Sequence, residues 1–285
     1  NYIIYVYEDD STAIPLFTRK FVVYENLTFI ETNISRPNQP KYSRTHQRIN
    51  LKINYGDLET SNSQEDFKIV LIQNRDWKHA LMGLPPTQFI PNEKTLIFNY
   101  FNNEMLFAGL NNFRFFDARS ISYRGQNVMA IQPSKRGLEL ILEMEYPKKG
   151  LAFSQPLNTE LNGTFYTQTL DINTRDLNSE YVWINFRIDM DKINGDVFIH
   201  GGFNNWQLNL QNKMTYDENI LAYKGNIRVK QGFYSYNYYV SSDAYPFYWI
   251  DGTHNEHNNV YEILVYHRAP GSLNDRLVGY KKLEN

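Results

Sequence analysis

The 285-residue chain contains no cysteine. That excludes disulfide cross-links, thiolate metal sites and cysteine nucleophiles. It fits a bacterial periplasm, where a stray thiol risks oxidation, without fixing the compartment. Charge of one sign is also missing: 29 Lys and Arg face 31 Asp and Glu, so bulk charge points neither to nucleic acid nor to an anionic membrane surface. No apolar run approaches the roughly 20 residues of a membrane-spanning helix, and no signal-peptide pattern opens the chain. The G-x-S-x-G, P-loop and G-x-G-x-x-G signatures are absent. Of the six His, only those in His254-Asn255-Glu256-His257 have metal-like spacing, and they lie in a loop and not on the helix that an H-E-x-x-H site needs. The acidic run Glu8-Asp9-Asp10 lacks the spaced oxygen ligands of a calcium loop and reads as a turn. The sequence therefore calls for no catalytic residue, no metal and no cofactor, and the expectation is a protein that binds and does not catalyse.

What is abundant is aromatic: 22 Tyr and 18 Phe bring the aromatic share to 15%, and such residues favour strands. His46 to Tyr55 alternates, with Ile49, Leu51, Ile53 and Tyr55 on one side and Asn50, Lys52 and Asn54 on the other, as a half-buried strand does. Tyr181 to Ile188 alternates in the same way, and Phe67 to Gln73 is the continuous apolar run of a central strand. Turn signals at Asn194-Gly195, Gly201-Gly202 and Gly252 separate short strands, and no long helical period is present. The expected fold is all-β, in tandem immunoglobulin-like β-sandwich modules. Residues 1–25 read as the last hairpin of an N-terminal sandwich whose other strands lie upstream, because a lone hairpin is marginal. Residues 26–158 read as a central sandwich, 159–268 as a C-terminal sandwich closed by Val260 to His267, and 269–285 as a polar tail.

The segment Ile199-His200-Gly201-Gly202-Phe203-Asn204-Asn205-Trp206, followed by Lys230-Gln231-Gly232-Phe233-Tyr234-Ser235-Tyr236-Asn237-Tyr238, resembles the starch- and glycogen-binding sandwich modules. That resemblance implies a glycan partner, with Trp206, Tyr236 and Tyr238 as stacking residues. The other reading is that Trp206 caps the sandwich core and the tyrosines are strand packing, and that reading is preferred.

A second resemblance runs the length of the chain. Phe17-Thr18-Arg19-Lys20-Phe21, Thr45-His46-Gln47, Gln73-Asn74-Arg75-Asp76-Trp77, Asn112-Phe113-Arg114-Phe115-Phe116-Asp117, Gly202 to Trp206, Asn259-Val260-Tyr261 and Val265-Tyr266-His267-Arg268 occur in the collinear order of the plug proteins of the type IX secretion system. What this implies is a periplasmic, non-enzymatic protein associated with the outer membrane of a Gram-negative bacterium. It would close the periplasmic side of an outer-membrane β-barrel translocon, its partner. Sealing a pore is a binding task that favours buried aromatic anchors. Trp77, Phe113, Phe115 and Phe116 are the candidate partner-binding residues, each with core packing as its alternative.

Overall fold

The structure, a computed structural model, describes residues 2–8, 11–154, 160–171 and 178–284. Asp9 and Asp10 of the acidic turn and the expected boundary between 158 and 159 lie outside the described residues.

Strands β1 (Tyr2–Glu8) and β2 (Ser11–Phe21) form an antiparallel hairpin in which Tyr2 faces Phe21 and Val6 faces Phe17. Next come β3 (Phe29–Ser35), β4 (His46–Asn54), β5 (Phe67–Gln73), β6 (Leu81–Met82), β7 (Gln88–Ile90), β8 (Thr95–Phe98) and β9 (Leu106–Ala108). The chain then crosses to β10 (Arg114–Asp117), β11 (Val128–Ser134), β12 (Gly137–Leu142), β13 (Phe165–Thr167) and β14 (Tyr181–Asp189). It continues through β15 (Asp196–His200), β16 (Thr215–Asp217), β17 (Ala222–Lys230) and β18 (Gly232–Ser241), and returns for β19 (Val260–His267) and β20 (Arg276–Glu284).

Two sandwiches result. In the first, the sheet β3-β4-β8-β7, with β9 also paired to β4, faces the sheet β20-β19-β5-β6. Ile49, Leu51 and Ile53 of β4 meet Ile69 and Leu71 of β5 and Ile263 and Val265 of β19 across this core. The alternation in β4 thus does what its period implies, one face buried and the other half-exposed. Strand β5 is apolar on both faces because its other side, Val70 and Ile72, packs under Leu264, Leu277, Val22 and Trp77. In the second sandwich, β11-β12-β14-β17-β16 faces a sheet in which β18 pairs with β10, β13 and β15. Val182, Ile184, Phe186 and Ile188 of β14 pack there against Tyr234, Tyr236, Tyr238 and Val240 of β18.

This division corrects the one read from the sequence in three places. Asn112 to Phe116 and Leu138 to Glu143 do not belong to the central unit. Their strands β10 and β12 pair with β18 and β14 instead, the latter in parallel, and bury Phe116, Leu140 and Leu142 in the second core. Val260 to His267 does not close the C-terminal unit. As β19 it lies along β5 from Tyr261–Gln73 to His267–Phe67, in the first sandwich. The residues read as a polar tail form β20, which buries Leu277 and Val278. The cause is common to all three: chain neighbours pair only about two-thirds of the time, and the apolar face of β19 matches that of β5. The further strands expected before residue 1 lie outside the described chain.

A chain ended at residue 268 is therefore expected to lose at least about 3 kcal/mol of unfolding free energy, since each buried aliphatic side chain removed costs about 1.5–3 kcal/mol. Urea unfolding measures it; a midpoint equal to that of the full chain is the result a solvated tail would give.

Candidate functional site

The seven residues singled out in the sequence do not assemble into one surface. Trp206 follows the tight turn Gly202–Asn204, where Asn205 and Trp206 both take left-handed φ, 54° and 59°. Asn204 holds the turn by donating from Nδ2 to Ile199 O at 2.8 Å and accepting from Gly201 N at 3.2 Å. The turn swings the indole inward onto Leu110 and Phe113, leaving it 6% exposed. Gly163 makes room for it: a Cβ there would lie 2.1 Å from the ring. Tyr236 and Tyr238 are buried in the second core. Sugar stacking by these three is corrected accordingly, because none presents a face to solvent.

The four partner-binding candidates divide. Phe116 is wholly buried and stacks on Tyr234 at 5.1 Å, and Phe113, just before β10, packs edge-on to Trp206. Both are corrected to interior positions, for the same reason: they face apolar surface of the facing elements. Phe115, on the opposite face of β10, is half-buried and stacks on Phe233 at 5.3 Å. Trp77 is half-buried in the turn Trp77–His79, with the Lys20 ammonium of the hairpin 3.7 Å over its ring. Its cation–π partner already covers that face.

Between the sandwiches runs a polar seam. Gln47 Nε2 donates to Asn255 O and His257 O, both at 2.8 Å, and its Oε1 accepts from Asn259 and Tyr261. Asn74 donates to Asn259 Oδ1 at 2.7 Å. Deeper in, Arg114 Nε donates to Asp251 Oδ1 at 2.8 Å and Nη1 to Glu145 Oε1 at 3.1 Å, while the hydroxyls of Tyr236 and Tyr238 both donate to Glu145 Oε2. Burial works to lower the Arg114 pKa, but the carboxylates of Asp251 and then Glu145 outweigh it and hold the group above its usual value. Burial, and then the Glu145 carboxylate, raise both tyrosines well above theirs. The Gln47 bonds tie the first sandwich to the loop after β18, and the Arg114, Asp251 and Glu145 set ties β10, β18 and the segment after β12 within the second. The His254/His257 pair belongs to the seam as well: His257 is buried with Nδ1 on Asn259 Oδ1 at 3.1 Å. Among the described residues no group of three His, Asp or Glu is placed to hold a metal ion.

Burial pushes His200 and His257 down to about 4 from an ordinary 6.5. The unfolded chain takes up these protons first, so the stability from keeping both rings neutral is whole above pH 6.5 and is lost as pH falls towards 4. Each contributes up to about 3 kcal/mol. Glu160, which burial pushes up to about 7 from 4.5, has the opposite sign, its contribution fading as pH rises. Two rings against one carboxyl leave a net loss in acid. Urea unfolding at pH 7 and pH 4.5 should show it, and the double variant His200→Gln/His257→Gln should lose less between the two pH values. Equal losses in both proteins would contradict the assignment.

The residues that sequence reasoning passed over are in the hairpin. Ile3, Leu16 and Phe17 are 68%, 64% and 53% exposed, and Tyr2, Ile4, Tyr5, Tyr7, Ile14 and Phe21 are exposed as well. Both faces are open among the described residues, since Ile3 on one and Ile4 and Phe17 on the other are exposed, and both edges are free because β1 and β2 pair only with each other. The hairpin touches the body through Lys20 on Trp77 and a 3.4 Å bond from Arg19 Nη1 to Asn205 Oδ1. The signal available was the run Tyr2 to Tyr7, apolar at every position and without charge, in an element of only two strands.

No family model matches the chain, and no curated protein matches it. Among solved structures, the chain is similar to the crystal structure of a hypothetical protein from Parabacteroides merdae ATCC 43184. The TM-score is 0.90 at 25% identity, over 99% of this chain and 71% of that one. The likeness takes in the hairpin and both sandwiches, so this all-β arrangement also exists in a protein solved by crystallography.

Proposed function

We propose that the chain is a non-enzymatic, partner-binding protein: a periplasmic plug of the type IX secretion system that closes the periplasmic side of the outer-membrane β-barrel translocon. The observation that carries the reading is the collinear order of motifs along the chain; the hairpin β1–β2, expected from the sequence to continue into strands upstream of residue 1, adds an apolar surface that is open among the described residues. Soluble chains rarely leave a contiguous apolar patch of more than a few hundred Å² open unless it meets a partner. Here nine large apolar residues in the first 21 are exposed. Among the described residues the outer edge of β1 is unpaired and carries no charge from Tyr2 to Tyr7, a ready template for a further strand. The occupant assigned to it is an apolar β-segment at the periplasmic rim of the barrel. The choice of a translocon as partner rests on the collinear motifs from Phe17-Thr18-Arg19 to Val265-Tyr266-His267-Arg268.

Capture on the tagged chain from detergent-solubilised outer membranes of a bacterium with this secretion system tests the reading. Co-purification of the translocon barrel is expected; its absence from the captured material overturns the assignment. A dye-leak assay in a deletion strain addresses sealing separately.

A further inference from the structure

The seam opens at one end into a cavity of about 410 Å³ that the hairpin does not touch. Its floor is made by Tyr248 and Trp249, both half-buried. Arg44 enters from the first sandwich, and Lys149 from the segment that follows β12. No acidic residue lines the cavity, and neither cation has a carboxylate within ion-pair distance among the described residues. The Lys149 ammonium instead rests 3.3 Å from the centre of the Trp249 ring, an interaction that a better anion can displace.

The walls are held by hydrogen bonds to backbone carbonyls. Thr253 Oγ1 donates to Thr45 O at 2.6 Å and Asn255 N to Arg44 O at 3.0 Å, which ties the first sandwich to the loop after β18. Lys148 N and Lys149 N both donate to Ile250 O. Gly252, at φ 76°, lies so close to this segment that a Cβ would stand 3.3 Å from Lys149 Cα. The cavity therefore exists before any ligand arrives, which lowers the ordering cost of binding.

We infer that this cavity is a binding site for an acidic saccharide. Tyr248 supplies an apolar ring for the C–H face of a sugar, while Trp249, with Lys149 over its ring and Tyr245 packed against it, backs the wall and holds the ammonium at the cavity. Arg44 and Lys149 supply the two unpaired cations that a ring carboxylate satisfies, Arg44 as a planar fork. The volume lies at the small-ligand end of the usual range and admits one or two sugar rings. This site shares no residue with Trp206, Tyr236 and Tyr238, and it stands or falls independently of the translocon reading.

The test is calorimetric titration of the full chain with trigalacturonic acid, with maltotriose and a penta-glutamate peptide as comparison arms. The acidic trisaccharide should bind, and the neutral sugar and the peptide at least about ten-fold more weakly, a single charge-assisted hydrogen bond being worth about that factor. The double variant Arg44→Ala/Lys149→Ala should weaken the trisaccharide by about a hundred-fold, because both charge-assisted bonds to the carboxylate go. Tyr248→Leu, which keeps an apolar side chain against the cluster of Leu110, Phe113 and Trp206, should weaken it while the thermal midpoint stays near that of the parent. The inference is overturned by absence of trisaccharide binding, by equal binding of maltotriose or of the peptide, or by an unchanged affinity of the double variant.

Discussion

Arg114→Met should cost the fold about 3–5 kcal/mol, the usual result of stripping one partner from a buried ion pair. The guanidinium lies at the entrance to β10, and its side chain is only 5% exposed. It is the common partner of Asp251 and Glu145, which are 7% and 17% exposed at their side chains. Removing it leaves two carboxylates facing each other beneath Tyr236 and Tyr238, with Lys148 as the nearest remaining cation. Asp251 Oδ2 also accepts from Tyr238 N at 2.8 Å, so the charge cannot turn away without breaking a strand contact. The loss should be read by guanidinium unfolding at pH 7. The triple variant Arg114→Met/Asp251→Asn/Glu145→Gln should recover part of it, because the uncompensated charge and not the missing hydrogen bond is the larger cost. A loss below about 1 kcal/mol would place this network in the weak class of exposed ion pairs.

The second large effect concerns binding. Placing glutamates at Ile3, Ile4, Leu16 and Phe17 puts charge on both faces of the hairpin: Ile3 and Leu16 share one, Ile4 and Phe17 the other. All four are exposed in the free chain, so the unfolding free energy should move by no more than about 0.5 kcal/mol. Capture of the translocon should fall by more than about thirty-fold, since truncating one hot-spot residue alone costs about 2 kcal/mol. Threonine at the same four positions keeps strand propensity while removing the apolar surface. It separates loss of the hairpin from loss of the apolar anchor. Undiminished capture by both variants would move the interface elsewhere.

Period was the legible property of this sequence. The alternations in His46 to Tyr55 and Tyr181 to Ile188 became β4 and β14 with the expected faces inward, because period two leaves a strand little choice. Pairing was not legible. Nothing in Val260 to His267 says that it lies along Phe67 to Gln73, nearly two hundred residues earlier; that match is made by surfaces that exist only after both sheets form. The aromatics show the same limit. Tyr236 and Tyr238 read as a shared face, and they share one, but which side meets water depends on β14 and on the carboxylate of Glu145. Trp206 was ambiguous because its turn aims the ring, and the direction comes from two consecutive left-handed residues that composition does not announce. The hairpin shows a limit of another kind. Its apolar residues read as the core of a sandwich that continues upstream of residue 1, and among the described residues they are open.

Hydrogen exchange of the chain, alone and with purified translocon, tests the central claim most directly. Backbone amides of residues 2–8 and 14–21 should slow on addition of the barrel, while those of β4, β5, β14 and β18 stay as protected as before. Slowing confined to other segments, with the hairpin exchanging at its free rate, would contradict the account.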